Sequence, residues 1–324
     1  MSVNNSLKDK RVIVTGGAGF IGSHLVKKLL DSNNQVVVLD NLSSGIFENL
    51  PVHSQLTFIN GDIRDSTLTK KLVENSDVIF HLAEFLPNTR QFGPGHVVKF
   101  SMENPFFDLD NCVRGTLNVL EAAKEANVKV VFTSSAAVYG DPVEVPIKET
   151  TPPNPVSCYG ASKLAAETYC KVYSKTHNLP VVIVRLFNIY GPRQRKCVMH
   201  DVLSKLSKNP NALTMLGSGD QERDFVYVDD AVEGLILLSV KEEATGQIFN
   251  LGTGISTSIK EVLNHIVRIL GAEPVVTYTG SSWKGDVGIL VADSTKVRGI
   301  GFTPKYSVEQ GIKEFVSWYQ HAEN

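Results

Sequence analysis

Tyr159, Gly160, Ala161, Ser162 and Lys163 set a phenol and an ammonium four residues apart. On a helix, residues i and i+4 share a face, so the two groups project together. A nearby ammonium favours the phenolate and lowers the tyrosine pKa toward working pH, which suits Tyr159 to general-base work. Such pairs also occur on ordinary helix surfaces, so the company matters. Ser134 and Ser135 end an apolar run 24 residues before the tyrosine. Ser135 would hydrogen-bond a reacting oxygen there, whereas the bland use of a strand-end serine is capping. A second constellation lies near the N-terminus. Gly16, Gly19 and Gly22 follow the apolar run at 11–15 with GxxGxxG spacing. Such a turn needs residues without a Cβ, its backbone must approach a pyrophosphate, and the helix after it offers N–H groups and a positive dipole end. Asp40 lies 18 residues after Gly22, at the end of the second apolar run. A carboxylate there can hydrogen-bond both ribose hydroxyls of an adenosine and would repel a 2′-phosphate, which favours NAD over NADP. Asp62, after the third run, fits either an adenine contact or a turn.

These groups need a scaffold that brings strand ends together. The stretches 11–15, 35–40, 56–59, 77–82, 129–134 and 180–187 are short, β-branched and almost continuously apolar, as expected of strands covered on both faces. Helical patterns at 20–31, 65–74, 104–126 and 157–177 alternate with them. That alternation predicts an α/β, Rossmann-type doubly wound parallel sheet. After Gly191 the rhythm changes to short strands, loops and helices, ending in an amphipathic helix at 308–322. The chain therefore divides into a cofactor-binding domain at 1–190 and a smaller mixed α/β substrate domain at 191–324, with 247–252 able to return to the first sheet.

The 324 residues include 42% hydrophobic and 20% charged, enough to bury a sizeable core. A net charge of −2 offers no basic surface for nucleic acid or acidic membrane. No signal peptide is recognisable at the polar N-terminus and no apolar run is long enough to span a bilayer. The four cysteines (Cys112, Cys158, Cys170 and Cys197) lack CxxC or Cys/His spacing, so no metal is expected and reduced thiols in a cytoplasmic protein are.

The segments TGGAGFIG, SSAAVYG, YGASK, RLFNIYGPRQ and RDFVYVDD together resemble the extended short-chain dehydrogenase/reductase family. Within it they are similar to nucleotide-sugar 4-epimerases of the UDP-galactose 4-epimerase type. The resemblance implies NAD-dependent epimerisation at C4 of a UDP-hexose. Tyr159, as phenolate, would take the C4 hydroxyl proton while C4 passes hydride to NAD. The 4-keto sugar would turn over, and hydride would return to its other face. Ser135, Tyr159 and Lys163 would be the catalytic residues, with Lys163 also on the nicotinamide ribose. The implied cofactor site comprises Gly16, Gly19, Phe20, Ile21, Gly22, Asp40, Asn41, Asp62, Ile63, Leu82, Ala83 and Asn111. Asn188 would meet the sugar, Arg223 the nucleotide diphosphate and Asp286 the nucleoside. A homodimer is also implied, pairing the helices at 104–126 and 157–177 across a two-fold axis.

The chain departs from the family pattern in three places. The second diphosphate arginine falls on Trp283, where Lys284, Arg193 or Arg195 could replace its charge. The connection at 84–100 is about ten residues longer than usual, as a lid or as a surface insertion. Ala136 and Ala137 stand where dehydrating relatives carry an acid pair and decarboxylating relatives a glutamate, so neither chemistry is expected. Arg195 resembles an arginine that recognises the carboxylate in uronic-acid 4-epimerases, and Leu290 leaves more room than the tyrosine of strict hexose enzymes. UDP-glucuronate and UDP-N-acetylhexosamine are thus the alternative substrates. A non-catalytic NAD sensor would be expected to lose Tyr159 or Lys163, and both are present.

Overall fold

The computed structural model describes residues 7–84, 97–281 and 287–322. Six strands enter the central sheet in turn: β1 (Arg11–Thr15), β2 (Gln35–Asp40), β3 (Leu56–Asn60), β4 (Val78–His81), β5 (Lys129–Ser135) and β6 (Val181–Leu186). Three strands of the second part follow, β7 (Asn188–Tyr190), β8 (Ala212–Met215) and β9 (Glu222–Tyr227). β10 (Ile248–Leu251) then returns to pair with β6. The order is β10-β6-β5-β4-β1-β2-β3, all parallel. After β3 the chain crosses back to lay β4 on the other side of β1. This switch point opens a crevice at the carboxyl ends of β1 and β4, where doubly wound sheets bind ligands.

The apolar runs are continuous because both faces of the sheet are covered. Val12, Val14, Val36, Val38, Val78 and Phe80 pack with the buried faces of α1 (Phe20–Asp31) and a later helix at Val228–Val240. Ile13, Val37, Ile79, Val130, Phe132 and Ile183 point the other way. They meet α2 (Ser66–Val73) and, further along the chain, helices at Gly115–Ala126 and Cys158–His177. The single helix expected at 104–126 is divided. α3 (Val97–Glu103) ends at Asn104, and Pro105, which has no N–H to lose, begins α4 (Pro105–Leu109). A π-type turn at Asp110–Arg114 then leads into α5 (Gly115–Ala126). The wider turn lets two successive residues, Asn111 and Cys112, both be buried.

α6 (Cys158–His177) carries the tyrosine–lysine pair. Its start is fixed by Ser157, whose hydroxyl accepts from Gly160 N at 3.1 Å, and its end by Asn178 in the left-handed region. Beyond it lie α7 (Cys197–Lys208), α8 (Val228–Val240), α9 (Ile259–Leu270), α10 (Thr295–Gly299) and α11 (Val308–Ala322). The short strands β11 (Ser256–Ser258), β12 (Val275–Tyr278) and β13 (Ile289–Leu290) complete the second part. β7, β9, β11 and β13 form one sheet, and β8 pairs with β12. Asp224 on β9 is fully buried. It accepts from the Thr253 N–H and hydroxyl, Gly254 N and Ala292 N, tying β9 to the loop after β10. All four cysteines are free. Among the described residues no helix is long and apolar enough to cross a membrane, and no cluster of His, Cys, Asp or Glu could hold a metal ion.

Candidate active site

The crevice is lined by the glycine loop, the ends of β2, β3 and β4, Asn111, Thr133 and the segment carrying Arg193, Arg195 and Lys196. Gly16, Gly19, Phe20, Ile21, Gly22, Asp40, Asn41, Asp62, Ile63, Leu82, Ala83 and Asn111 all lie on its wall. Gly16 has φ +73°, and a Cβ there would stand 2.8 Å from the Ala83 backbone. At Gly22 a Cβ would collide with the Gly16 carbonyl oxygen. α1 begins at Gly19 with no side-chain cap and no acid in its first turn, so its leading N–H groups suit an anion. The residues present therefore fit a dinucleotide: a bare loop and a helix end for the pyrophosphate, and an acid at the far end for the ribose.

That acid, Asp40, is 8% exposed and accepts from Ala18 N at 3.0 Å and Leu42 N at 2.9 Å. Burial raises its pKa above the ordinary carboxylate value, and the two backbone bonds oppose this. Asp62 accepts from Arg64 Nη2 at 2.7 Å and Asn41 Nδ2 at 2.9 Å. The Arg64 hydrogen bond holds it down to about 2. Asn111 lines the wall while its amide donates to the Phe107 carbonyl at 2.8 Å. His81 underlies the loop. Its ring nitrogens lie 2.8 Å from Thr15 Oγ1 and 3.0 Å from Thr116 Oγ1. Burial, with Lys163 nearby, pulls it down to about 3, so it is a neutral structural imidazole.

At the carboxyl edge of the sheet, Ser135 closes β5 near Tyr159, whose pKa it pulls down. Its hydroxyl accepts from Ala137 N at 3.2 Å. The Tyr159 N–H donates to Ser101 Oγ at 2.9 Å, fastening the first turn of α6 to α3. Lys163 lies one turn along α6 and donates to the Thr133 carbonyl at 3.1 Å. Burial pushes the Tyr159 phenol up to about 12; Lys163 and Ser135 pull it down, while Glu84 adds to the rise. Glu84 is a residue that the sequence reading left without a role. Its Oε2 lies 2.7 Å from Lys163 Nζ.

Two turns beyond the tyrosine on the same face, Glu167 pairs with Arg185 of β6 at 2.8 and 2.6 Å, both residues almost fully buried. Ser134 donates to Glu167 at 2.6 Å, so it serves this pair while Ser135 serves the site. The only signal for Glu167 in the sequence was its i+4 spacing from Lys163.

The expected substrate residues lie toward the second part. Asn188 is on β7, and its buried Nδ2 has no hydrogen-bond partner among the described residues. Arg223 on β9 donates to the carbonyls of Glu222, Val287 and Gly288. Arg195 is brought to the cofactor crevice, beside Arg193 and Lys196. Burial pulls Lys196 down to about 8. Leu290 is buried with Ala136 and Phe187. Asp286, Trp283, Lys284 and most of the insertion at 84–100 lie outside the described residues.

This geometry has close counterparts. Residues 12–252 match the profile of the NAD dependent epimerase/dehydratase family. The UDP-glucose 4-epimerase of Mycolicibacterium smegmatis is 36% identical over 323 residues, spanning 96% of this chain and 99% of that protein. Among solved structures, a UDP-N-acetylglucosamine 4-epimerase from Methanobrevibacter ruminantium, in complex with UDP-N-acetylmuramic acid, superposes with a TM-score of 0.88 at 33% identity. It covers 98% of this chain and 100% of its own. The UDP-glucose 4-epimerase of Thermus thermophilus, in complex with NAD, gives a TM-score of 0.83 at 34% identity, covering 96% and 99%. The crevice is an NAD site, and the chain belongs to the NAD dependent epimerase/dehydratase family.

Proposed function

We propose that this chain interconverts UDP-glucose and UDP-galactose by epimerisation at C4 of the sugar. The observation that carries this reading is the Ser135–Tyr159–Lys163 arrangement at the carboxyl edge of the sheet, followed by two alanines. Bound NAD supplies reversible acceptance of a hydride. Tyr159 takes the proton from the sugar O4 and later returns it. Ser135, which already accepts from Ala137 N, has its one hydroxyl proton to donate to the same sugar oxygen. Lys163 supports the phenolate and reaches the nicotinamide ribose. Asn188 offers the sugar a buried amide donor that has no partner among the described residues, and the planar, permanently charged guanidinium of Arg223 suits the diphosphate. Ala136 and Ala137 carry no acid that could move a C5 proton or expel water, which favours a cycle that returns to its starting redox state.

The test is incubation of the purified protein with UDP-galactose and analysis of the products. UDP-glucose should form without net NADH. No UDP-glucose, with UDP-glucuronate converted instead, would overturn the choice of sugar. A second reading, a UDP-N-acetylhexosamine, is favoured by Leu290, which is smaller than a tyrosine and packs on Ala136 beside the catalytic serine. The same assay with UDP-N-acetylglucosamine separates the two. The four free thiols fit a reducing cytoplasm. Exposed apolar side chains on α3, α4 and α6 support a homodimer.

A further inference from the structure

Glu84 follows β4 by three residues and faces the cofactor crevice. Its side chain is only 8% exposed, and Oε2 lies 2.7 Å from the Lys163 ammonium, itself 4% exposed. Beyond this ion pair, neither carboxylate oxygen has a hydrogen-bond partner among the described residues. A buried carboxylate in that position stays only if it is paired, and its pair is the reaction's lysine. The consequence is electrostatic. A lone ammonium beside a phenol favours the phenolate. An ammonium neutralised at 2.7 Å gives the phenol far less support.

Resting on the tyrosine–lysine reading of the site, we propose that Glu84 is a positioning residue for this reaction: it fixes Lys163 before substrate arrives and, by compensating its charge, sets the ionisation of Tyr159. Among the described residues, other charged or titratable groups approach the pair from several elements, and Cys170 lies further along α6 itself. From the α4–α5 segment come Asp108 and Cys112, both buried. Burial raises the pKa of both, and Glu84 raises each further. From β4 comes His81, which is neutral. β5 contributes the Thr133 carbonyl and the Phe132 ring, whose centroid is 5.2 Å from Lys163 Nζ, and Ser135 on the Tyr159 side. Arg193, Arg195 and Lys196 line the crevice from the second part. Among the described residues, Glu84 is the group in direct ion-pair contact with the lysine. Burial alone would lower the lysine pKa, yet with Glu84 beside it the net shift is upward.

The experiment titrates Tyr159 in the purified, cofactor-containing protein by tyrosinate difference absorbance, using Tyr159→Phe as the blank, for the parent, Glu84→Gln and Glu84→Asp. Removing the carboxylate charge leaves the ammonium uncompensated, so Glu84→Gln should lower the Tyr159 midpoint by about one pH unit. The acid limb of its pH–rate profile should move down by the same amount. Glu84→Asp keeps the charge and should stay near the parent midpoint. A purely structural role would lower activity evenly across pH without moving the midpoint, and parent and Glu84→Gln titrations that superimpose overturn the proposal. The absorbance titration needs no substrate. A shifted midpoint in a protein that turns over none of the UDP-sugars would uphold Glu84 and remove the epimerase reading instead.

Discussion

At the scale of single residues, Tyr159 carries the heaviest demand. Tyr159→Phe keeps the ring and its packing but removes the hydroxyl that the proposed mechanism uses to move the O4 proton. Turnover is expected to fall by about 10²–10⁴-fold. NAD content, read from the absorbance of cofactor released on denaturation, should stay at the parent level. A variant that turns over normally would show the base to be another group. Asp62, on the crevice wall, makes a contrasting prediction. Its pKa in the folded chain, about 2, lies below the ordinary 3.8 because Arg64 and Asn41 hydrogen-bond the ionised form. A depressed carboxylate pKa stabilises the fold above the unfolded value and loses that stabilisation as pH falls through the folded one. The side chain is 27% exposed, so solvent screening limits the effect to about 1 kcal/mol. Asp62→Asn should therefore melt below the parent at neutral pH, and the gap should close between about pH 4 and pH 2. Melting curves across that range test it, and a gap that persists at pH 2 would assign the contribution to something other than charge.

At the scale of elements, α6 has to be held so that Tyr159, Lys163 and Glu167 share one face toward β5 and β6. Glu167 does this through its forked bond to Arg185, and Arg185 also donates to the Tyr139 hydroxyl at 2.8 Å. Removing one partner of a buried pair leaves the other charge stranded, so Arg185→Met should cost about 3–5 kcal/mol in chemical denaturation. Adding Glu167→Leu should recover much of that loss, and a double variant no more stable than the single would mean that the pair was not the source. The strands around this helix were legible because burial on both faces leaves an unbroken apolar run, and the glycine loop because its steric demand falls on residue type. Glu167 was not, since an acid in a helix usually faces water and only the pairing with Arg185 of the next strand and with Ser134 of β5 makes this one internal. The π-type turn at Asp110–Arg114 was equally hidden; it joins α4 to α5 where both pack against α6, which no local propensity encodes. Glu84 begins an insertion, and its meaning depends on a lysine 79 residues further along the chain.

At the scale of the whole molecule, buried acids that no sequence pattern distinguishes from catalytic ones tie together segments far apart in the chain. Asp224 is bonded four ways to backbone and hydroxyl donors, and Asp230 accepts from Lys305 N and Tyr306 N. The RDFVYVDD segment thus contributes Asp224 and Asp230 to architecture, alongside the arginine proposed for the diphosphate. What remains outside the single chain is the apolar surface. α3 and α4 pack against α6. Met102, Phe106 and Leu109 on the first two, and Tyr169 and Val172 on the third, are all exposed. Phe106 is 86% exposed, a large cost to leave in water for a side chain of that size. A second copy brought to the same face by a two-fold axis would lay helix against helix and cover these side chains mutually, within the roughly 800 Å² per partner of an ordinary stable interface. Light scattering on the purified protein should therefore give twice the 35.5 kDa chain mass. Phe106→Glu combined with Val172→Glu should shift it to monomer by placing like charges across the axis, while the same charge at Val52, exposed and on another surface, should leave the dimer intact. A parent protein that runs as a monomer at assay concentration, or a doubly charged variant that still dimerises, would remove this face from the assembly.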